Sequence, residues 1–166
     1  MRIEVSRDVF RLAQVFTISR GSRTEAQVLT VRISDGGVTG WGECVPYARY
    51  DETLESVTAE IEGLPSSFTR ADLYDLLPAG AARNAVDCAL WDLEAKQTGK
   101  RVWELAGLSA PRPEITAYTL SLDTPEKMQA QAALHAHRPL LKIKLGTPDD
   151  MPRLEAVRAG APDAQI

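Results

Sequence analysis

Cysteine and histidine are scarce in this chain of 166 residues, with two of each. Cys44 and Cys88 stand far apart and in no metal-ligand spacing, so they read as small buried apolar groups in a reducing compartment. That argues against a thiolate metal centre, and against a disulfide between them, a bond rare in the cytosol. His135 and His137, two apart on an expected helix, point about 200° away from each other around it and so do not share a metal. An excess of positive charge is also missing. Nineteen Lys and Arg face 23 Asp and Glu, giving a formal net charge of -4. No basic stripe dominates any segment, which argues against a nucleic-acid partner or a membrane surface. No apolar run approaches the roughly 18 residues of a membrane-spanning helix, and Met1 leads directly into a strand-like stretch without a signal-peptide core. The expected compartment is the cytoplasm. What remains is an ordinary globular composition, 44% hydrophobic and 25% charged, sufficient for a core in one or two domains.

The pattern divides the chain in two. Residues 2–10 and 26–34 are β-branched and alternating, and the DGG at 35–37 followed by VTGWGEC makes the second run one arm of a hairpin in an antiparallel meander. Helical spacing follows. Leu54, Val57 and Ile61 share a stripe, and Thr69 with Asp72 resembles a capping box for a short helix. The run 81–99 is the longest: Ala82, Ala85, Val86, Ala89, Leu90 and Leu93 form one apolar face, and Gly99 supplies a left-handed stop. Trp41, Trp91 and Trp103 read as packing residues. After Pro113 the order becomes β-α-β-α-β. EITAYTLSL is a strand, Thr124-Pro125 opens a helix closed by Arg138-Pro139, LLKIKL is a second strand, 149–160 is a helix opened by Asp149 and Asp150, and AQI begins a third strand. Such alternation builds a parallel sheet, open or closed into a barrel.

Within LLKIKL the side chains alternate, so Lys142 and Lys144 share one face while Leu141, Ile143 and Leu145 share the other. Taken alone, two lysines on a strand suit a solvated edge as well as a site. At the carboxyl end of a barrel strand they would lie where barrels keep their chemistry.

The stretches ISRGSRTEA (18–26), GWGECVPYARY (40–50), LPAGAARNAVDCALWDLEAK (77–96), TAYT (116–119) and above all KIK (142–144) resemble the enolase superfamily, muconate-lactonizing subgroup, and most nearly its bacterial dipeptide epimerases. The resemblance covers the whole chain. It implies an α+β capping domain over residues 1–112, with an antiparallel meander and then helices, followed over 113–166 by the first β/α units of a TIM-type barrel. By that resemblance the activity is an isomerase's: reversible transfer of the α-proton of L-Ala-D/L-Glu-type dipeptides from cell-wall peptide turnover, through a metal-stabilised enediolate. Lys144 corresponds to the acid/base on one face of the α-carbon and Lys142 to the electrophilic partner at the carboxylate. Thr119, ending the first barrel strand, corresponds to a substrate-contacting threonine. A loop around Gly21 would offer Arg20, or by a shift of alignment Arg23, to an acidic substrate side chain.

The bland readings of these residues are loop cations for Arg20 and Arg23 and a plain strand residue for Thr119. The implied cofactor is Mg2+, with no ligand in this chain and all of them expected after Ile166, together with an opposite-face lysine. The implied partner is a small dipeptide, with no nucleic acid and no membrane, and a homo-oligomer is compatible. The alternatives are another KxK member of the superfamily (an N-acylamino-acid racemase, o-succinylbenzoate synthase or cycloisomerase) or a non-catalytic truncated chain. The 166 residues alone are expected to be inactive.

Overall fold

A computed structural model describes residues 1–166 except 147 and 149. Asp149, expected to open a helix with Asp150, therefore lies outside the described residues. The chain forms two compact units, one of Met1–Phe10 with Ala26–Pro111 and one of Arg11–Glu25 with Arg112–Ile166.

Three strands, β1 (Arg2–Ile18), β2 (Gly21–Asp35) and β3 (Val38–Cys44), run in the order β1-β2-β3, and the first unit takes β1 through Phe10, β2 from Ala26 and all of β3. β2 and β3 pair antiparallel, Leu29 opposite Cys44 and Asp35 opposite Val38. The two residues between them, Gly36 at φ 57° and Gly37 at φ 83°, take the doubly left-handed turn whose twist matches the flanking strands. Alternation then sends Leu29, Val31 and Ile33 inward, each with no exposed surface.

Helices cover that face. α1 (Leu54–Glu62) starts at a Thr53–Ser56 capping box and buries Val57 and Ile61. α2 (Leu73–Leu76) follows the reciprocal pair in which the Thr69 backbone N–H and hydroxyl donate to Asp72 Oδ2, while the Asp72 N–H donates to Thr69 Oγ1. α3 (Ala81–Thr98) buries all six residues of its expected stripe and stops at Gly99, φ 68°. α4 (Val102–Leu105) adds a single turn that no pattern signalled.

Gly40 and Gly42 of β3 face α3 so closely that a methyl group on either would collide with a helix carbonyl, that of Ala89 or of Ala85. The small residues on both sides are what allow strand and helix backbones to touch.

In the second unit β4 (Tyr118–Thr119) and β5 (Leu141–Lys142) pair parallel, Tyr118 opposite Leu141 and Thr119 opposite Lys142. A parallel bridge from Leu140 to Gln165 starts a third strand, as AQI suggested. α5 (Pro125–Leu134), capped by the Thr124 hydroxyl, and α6 (Asp150–Gly160) pack on each other and on one face of the pair. Leu120, Met128, Ala132, Leu141 and Val157 are essentially inaccessible there.

Several expectations change. The run 18–26 is not a loop: β1 and β2 extend through it as a hairpin whose turn is Ser19-Arg20, so Arg23 is a strand residue. β4 and β5, two residues each, are shorter than the alternation suggested. α5 ends at Leu134, which leaves His135 and His137 in a turn, their rings 6.2 Å apart. Leu145 is 48% exposed instead of joining the packed face, Trp41 is half exposed, and Cys88 sits on the outer side of α3 while Cys44 is buried.

Candidate active site

Paired residues of a parallel sheet project to the same side. Because Tyr118, Leu120 and Leu141 turn toward α5 and α6, Thr119 and its partner Lys142 turn away from them. Lys144, two residues on, has the same parity. The ladder continues past the assigned strands, with Leu120 N–H donating to the Lys142 carbonyl at 2.8 Å, so the backbone carrying the lysines is held on the β4 side. On the other side Leu141 N–H donates to the Gln165 carbonyl at 2.8 Å. Thr119 and Lys144 are half-buried and Lys142 is exposed.

The tip of the β1–β2 hairpin belongs to the same unit and is bonded to the carboxyl ends of these strands. Just beyond β4, Ser121 Oγ accepts from Thr17 N–H at 2.8 Å and donates to the Val15 carbonyl at 3.3 Å. Leu122 N–H donates to the Thr17 carbonyl at 3.0 Å. Just beyond KIKL, Gly146 adopts φ 130°, and a Cβ there would lie 3.2 Å from that of Ser19. Both strand ends therefore meet the hairpin end, one at Thr17 in β1 and the other at Ser19 in the turn. Arg20, in the turn, and Arg23, at the start of β2, are carried on this tip and are exposed. Thus one unit gathers Thr119, Lys142, Lys144, Arg20 and Arg23. Ser121 and Gly146 were not singled out from the sequence. The period of two that links Thr119 to position 121 was the available signal for the serine.

Five other titratable groups, Asp123, Asp150, His135, Cys44 and Cys88, have surroundings of their own. The Asp123 carboxyl is held below its ordinary range, chiefly by the Thr124 N–H and also by Lys127 and Arg153, so it serves the start of α5. Asp150 Oδ2 accepts from Gly146 N–H at 2.7 Å and shapes the loop after KIKL. His135 lies with its ring 4.1 Å from that of Tyr118, toward the amino ends of the strands, and burial with the nearby Arg138 and His137 lowers its pKa. Burial, then Glu52 and Glu43, push the Cys44 thiol up to about 11, which removes it as a thiolate nucleophile at neutral pH. Cys88 is shifted up as well, by burial and Asp87. Among the described residues no group of three or more His, Cys, Asp or Glu could hold a metal ion. Nor, among the described residues, is any helix long and apolar enough to cross a membrane.

Comparison with known proteins finds relatives along the whole chain. Residues 2–107 match the family "Mandelate racemase / muconate lactonizing enzyme, N-terminal domain". The chain is similar to the L-Ala-D/L-Glu epimerase of Escherichia coli, 41% identical over 99% of this chain and 53% of that protein. It is also similar to an N-acetyl-D-glutamate racemase of Pseudoalteromonas, 44% identical over 84% of this chain and 46% of that one. Among solved structures, an enolase family member from Agrobacterium tumefaciens with homology to dipeptide epimerases, bound to sodium and L-Ala-L-Glu, superposes with TM-score 0.92 at 53% identity, covering 98% of this chain and 51% of its own. A dipeptide epimerase from Enterococcus faecalis, complexed with Mg and L-Leu-L-Tyr, gives TM-score 0.84 at 27% identity over 95% and 49%. The chain thus spans about half the length of the relatives it matches.

Proposed function

The chain belongs to the mandelate racemase / muconate lactonizing enzyme family of the enolase superfamily, and from that membership we propose that it supplies the amino-terminal share of a dipeptide epimerase acting on L-Ala-D/L-Glu-type substrates. Residues 1–112 act as the capping domain and residues 113–166 as the first β/α units of the barrel. The register that sets Thr119 beside Lys142 on the face turned from the helices, at strand ends where the hairpin tip is bonded, carries this reading. The similarity to proteins named as L-Ala-D/L-Glu epimerases supports it.

In this reading Lys144 removes or returns the α-proton on one face of the second residue of the dipeptide. Lys142, nearer the strand's start, meets the substrate carboxylate and the negative charge that grows on it as the proton leaves, an interaction stronger in the transition state than in the ground state. Thr119 donates or accepts at the same end. Arg20, with Arg23 as the alternative, offers a guanidinium to the glutamate side chain, where a charge-assisted pair gives both affinity and orientation. Magnesium is a cofactor of similar enzymes. By the family resemblance its ligands, and the base for the opposite face, are assigned to residues other than those described, and no step within this chain is assigned to the metal. The reaction is placed in the cytoplasm, on dipeptides released in cell-wall peptide turnover.

The test is exchange. A protein carrying this chain at the length of its relatives, incubated with L-Ala-L-Glu in deuterated water, interconverts the epimers and incorporates one deuterium at the glutamate α-carbon. Absence of both epimerisation and exchange would overturn the reading. A second activity, racemisation of an N-acylated glutamate, is favoured by the 44% identity to the N-acetyl-D-glutamate racemase. N-acetylglutamate turned over faster than Ala-Glu would decide for it.

A further inference from the structure

The proposed chemistry uses one polar face of the short parallel sheet but leaves Ser121 unexplained. This serine is half-buried and follows Thr119 by two residues, so it continues the parity of the Thr119 face. Its hydroxyl is saturated in an unusual way: it accepts from the Thr17 N–H and donates to the Val15 carbonyl, two backbone groups of the same strand, 104 and 106 residues earlier. The neighbouring Leu122 N–H closes on the Thr17 carbonyl. Both backbone polar groups of Thr17 are therefore bonded to residues 121 and 122. Beyond this contact the hairpin projects only a few residues to its turn, where Ser19 rests against Gly146. The tip itself holds few apolar side chains: Ser19, Arg20, Ser22, Arg23, Thr24 and Glu25 are all exposed. Apolar burial contributes little at these exposed residues, and directional bonds anchor the strand just behind them.

We propose that Ser121 is a positioning residue, a latch that fixes the hairpin tip over the carboxyl ends of β4 and β5 and so sets where the guanidinium carried there can meet an acidic substrate. The part concerning substrate rests on the epimerase reading above. The latch itself does not. Alanine at 121 leaves the Thr17 N–H and the Val15 carbonyl without their partner, and the tip opens more often while both hydrophobic cores keep their contacts. Threonine retains the hydroxyl and the latch.

The test begins with trypsin, which cuts after Arg20 and Arg23 only when the tip opens. In the protein at the length of its relatives, Ser121→Ala raises the rate of cleavage after those two residues by about fivefold, the factor for a lost bond of ordinary net strength. Cleavage after Lys100 and Arg101, in the other unit, stays at the wild-type rate, and Ser121→Thr restores the wild-type pattern at the tip. Amide exchange of the unsubstituted chain gives a reading that needs no variant: the Thr17 N–H is protected. An exchanging Thr17 amide, or equal cleavage at the tip in wild type and Ser121→Ala, overturns the latch. In the protein at the length of its relatives, Ser121→Ala raises KM for Ala-Glu more than for Ala-Ala. An equal rise for both overturns the positioning role. If the unsubstituted protein has no activity while the trypsin pattern still responds to residue 121, the epimerase reading fails and the latch stands.

Discussion

Gly42 offers the sharpest quantitative check on how the first unit is packed. In Gly42→Ala the new Cβ would collide with the Ala85 carbonyl oxygen, lie 2.8 Å from the Ala89 nitrogen and 3.0 Å from the Ala85 carbonyl carbon. None of these is the flexible end of a side chain. All are backbone atoms of the middle of α3, held by the helix's own hydrogen bonds, so relief requires the whole helix to move off the sheet by about an ångström. That shift loosens Val86, Leu90 and Leu93 against Leu29, Val31 and Ile33 together. Overpacking of a rigid core costs about 1–3 kcal/mol and occasionally more. The absence of a yielding neighbour puts this site at the upper end, about 3 kcal/mol. Replacing glycine in a strand returns roughly 0.5–1 kcal/mol of backbone entropy, leaving a net loss of about 2 kcal/mol or more. At roughly 4–8 °C per kcal/mol for a domain of 60–100 residues, the melting temperature falls by about 10–15 °C. Circular dichroism during thermal and urea unfolding reads the loss, with an unchanged urea slope showing that the unfolded state is not responsible. A variant within about 0.5 kcal/mol of wild type, the usual range for neutral surface changes, would mean that β3 and α3 do not approach as closely as their glycines and alanines indicate.

The remaining expectations concern the proposed chemistry. In the protein at relatives' length, Lys144→Ala abolishes epimerisation in both directions but keeps α-deuterium exchange from the epimer served by the opposite base, whereas Lys142→Ala weakens exchange from both epimers together. Identical losses in the two variants would return Lys142 and Lys144 to the role of a solvated strand face. Arg20→Met lowers kcat/KM for Ala-Glu by about 1.5–3 kcal/mol, the range for a hydrogen bond to a charged group, and leaves Ala-Ala nearly unchanged. A selective loss at Arg23 instead moves the contact to that residue. The 166-residue chain alone shows no epimerase activity and binds a hydrophobic dye, because a complete barrel takes roughly 200 or more residues. A monomeric, dye-negative chain would contradict this.

Local chemistry decided a great deal here. The glycines at 36 and 37 require a left-handed turn in any context, and Thr53, Thr124 and Gly99 mark helix ends through atoms within a few residues of themselves. The α3 stripe was legible because its period of 3.6 selects one face, and that face is the buried one. In the same way, alternation placed the two lysines on one side and Leu141 on the other. Where bonds between distant residues govern, pattern alone was silent. The segment 18–26 is polar and glycine-containing and reads as a loop. It is a hairpin because β1 runs on past residue 10, with Thr17 bonded to residues 104 and 105 positions later. The pairing of Thr119 with Lys142 is likewise a matter of register, set by the packing of Leu120 and Leu141 under α5 and α6 and by no short-range preference. Leu145 continues the apolar parity of its strand yet lies exposed, since the ladder has ended before it. Spacing and caps are properties of neighbours along the chain and can be read there. Register, strand length and the seat of the hairpin tip come from groups that are 23 residues apart in one case and 104 in another and meet only once the chain has folded.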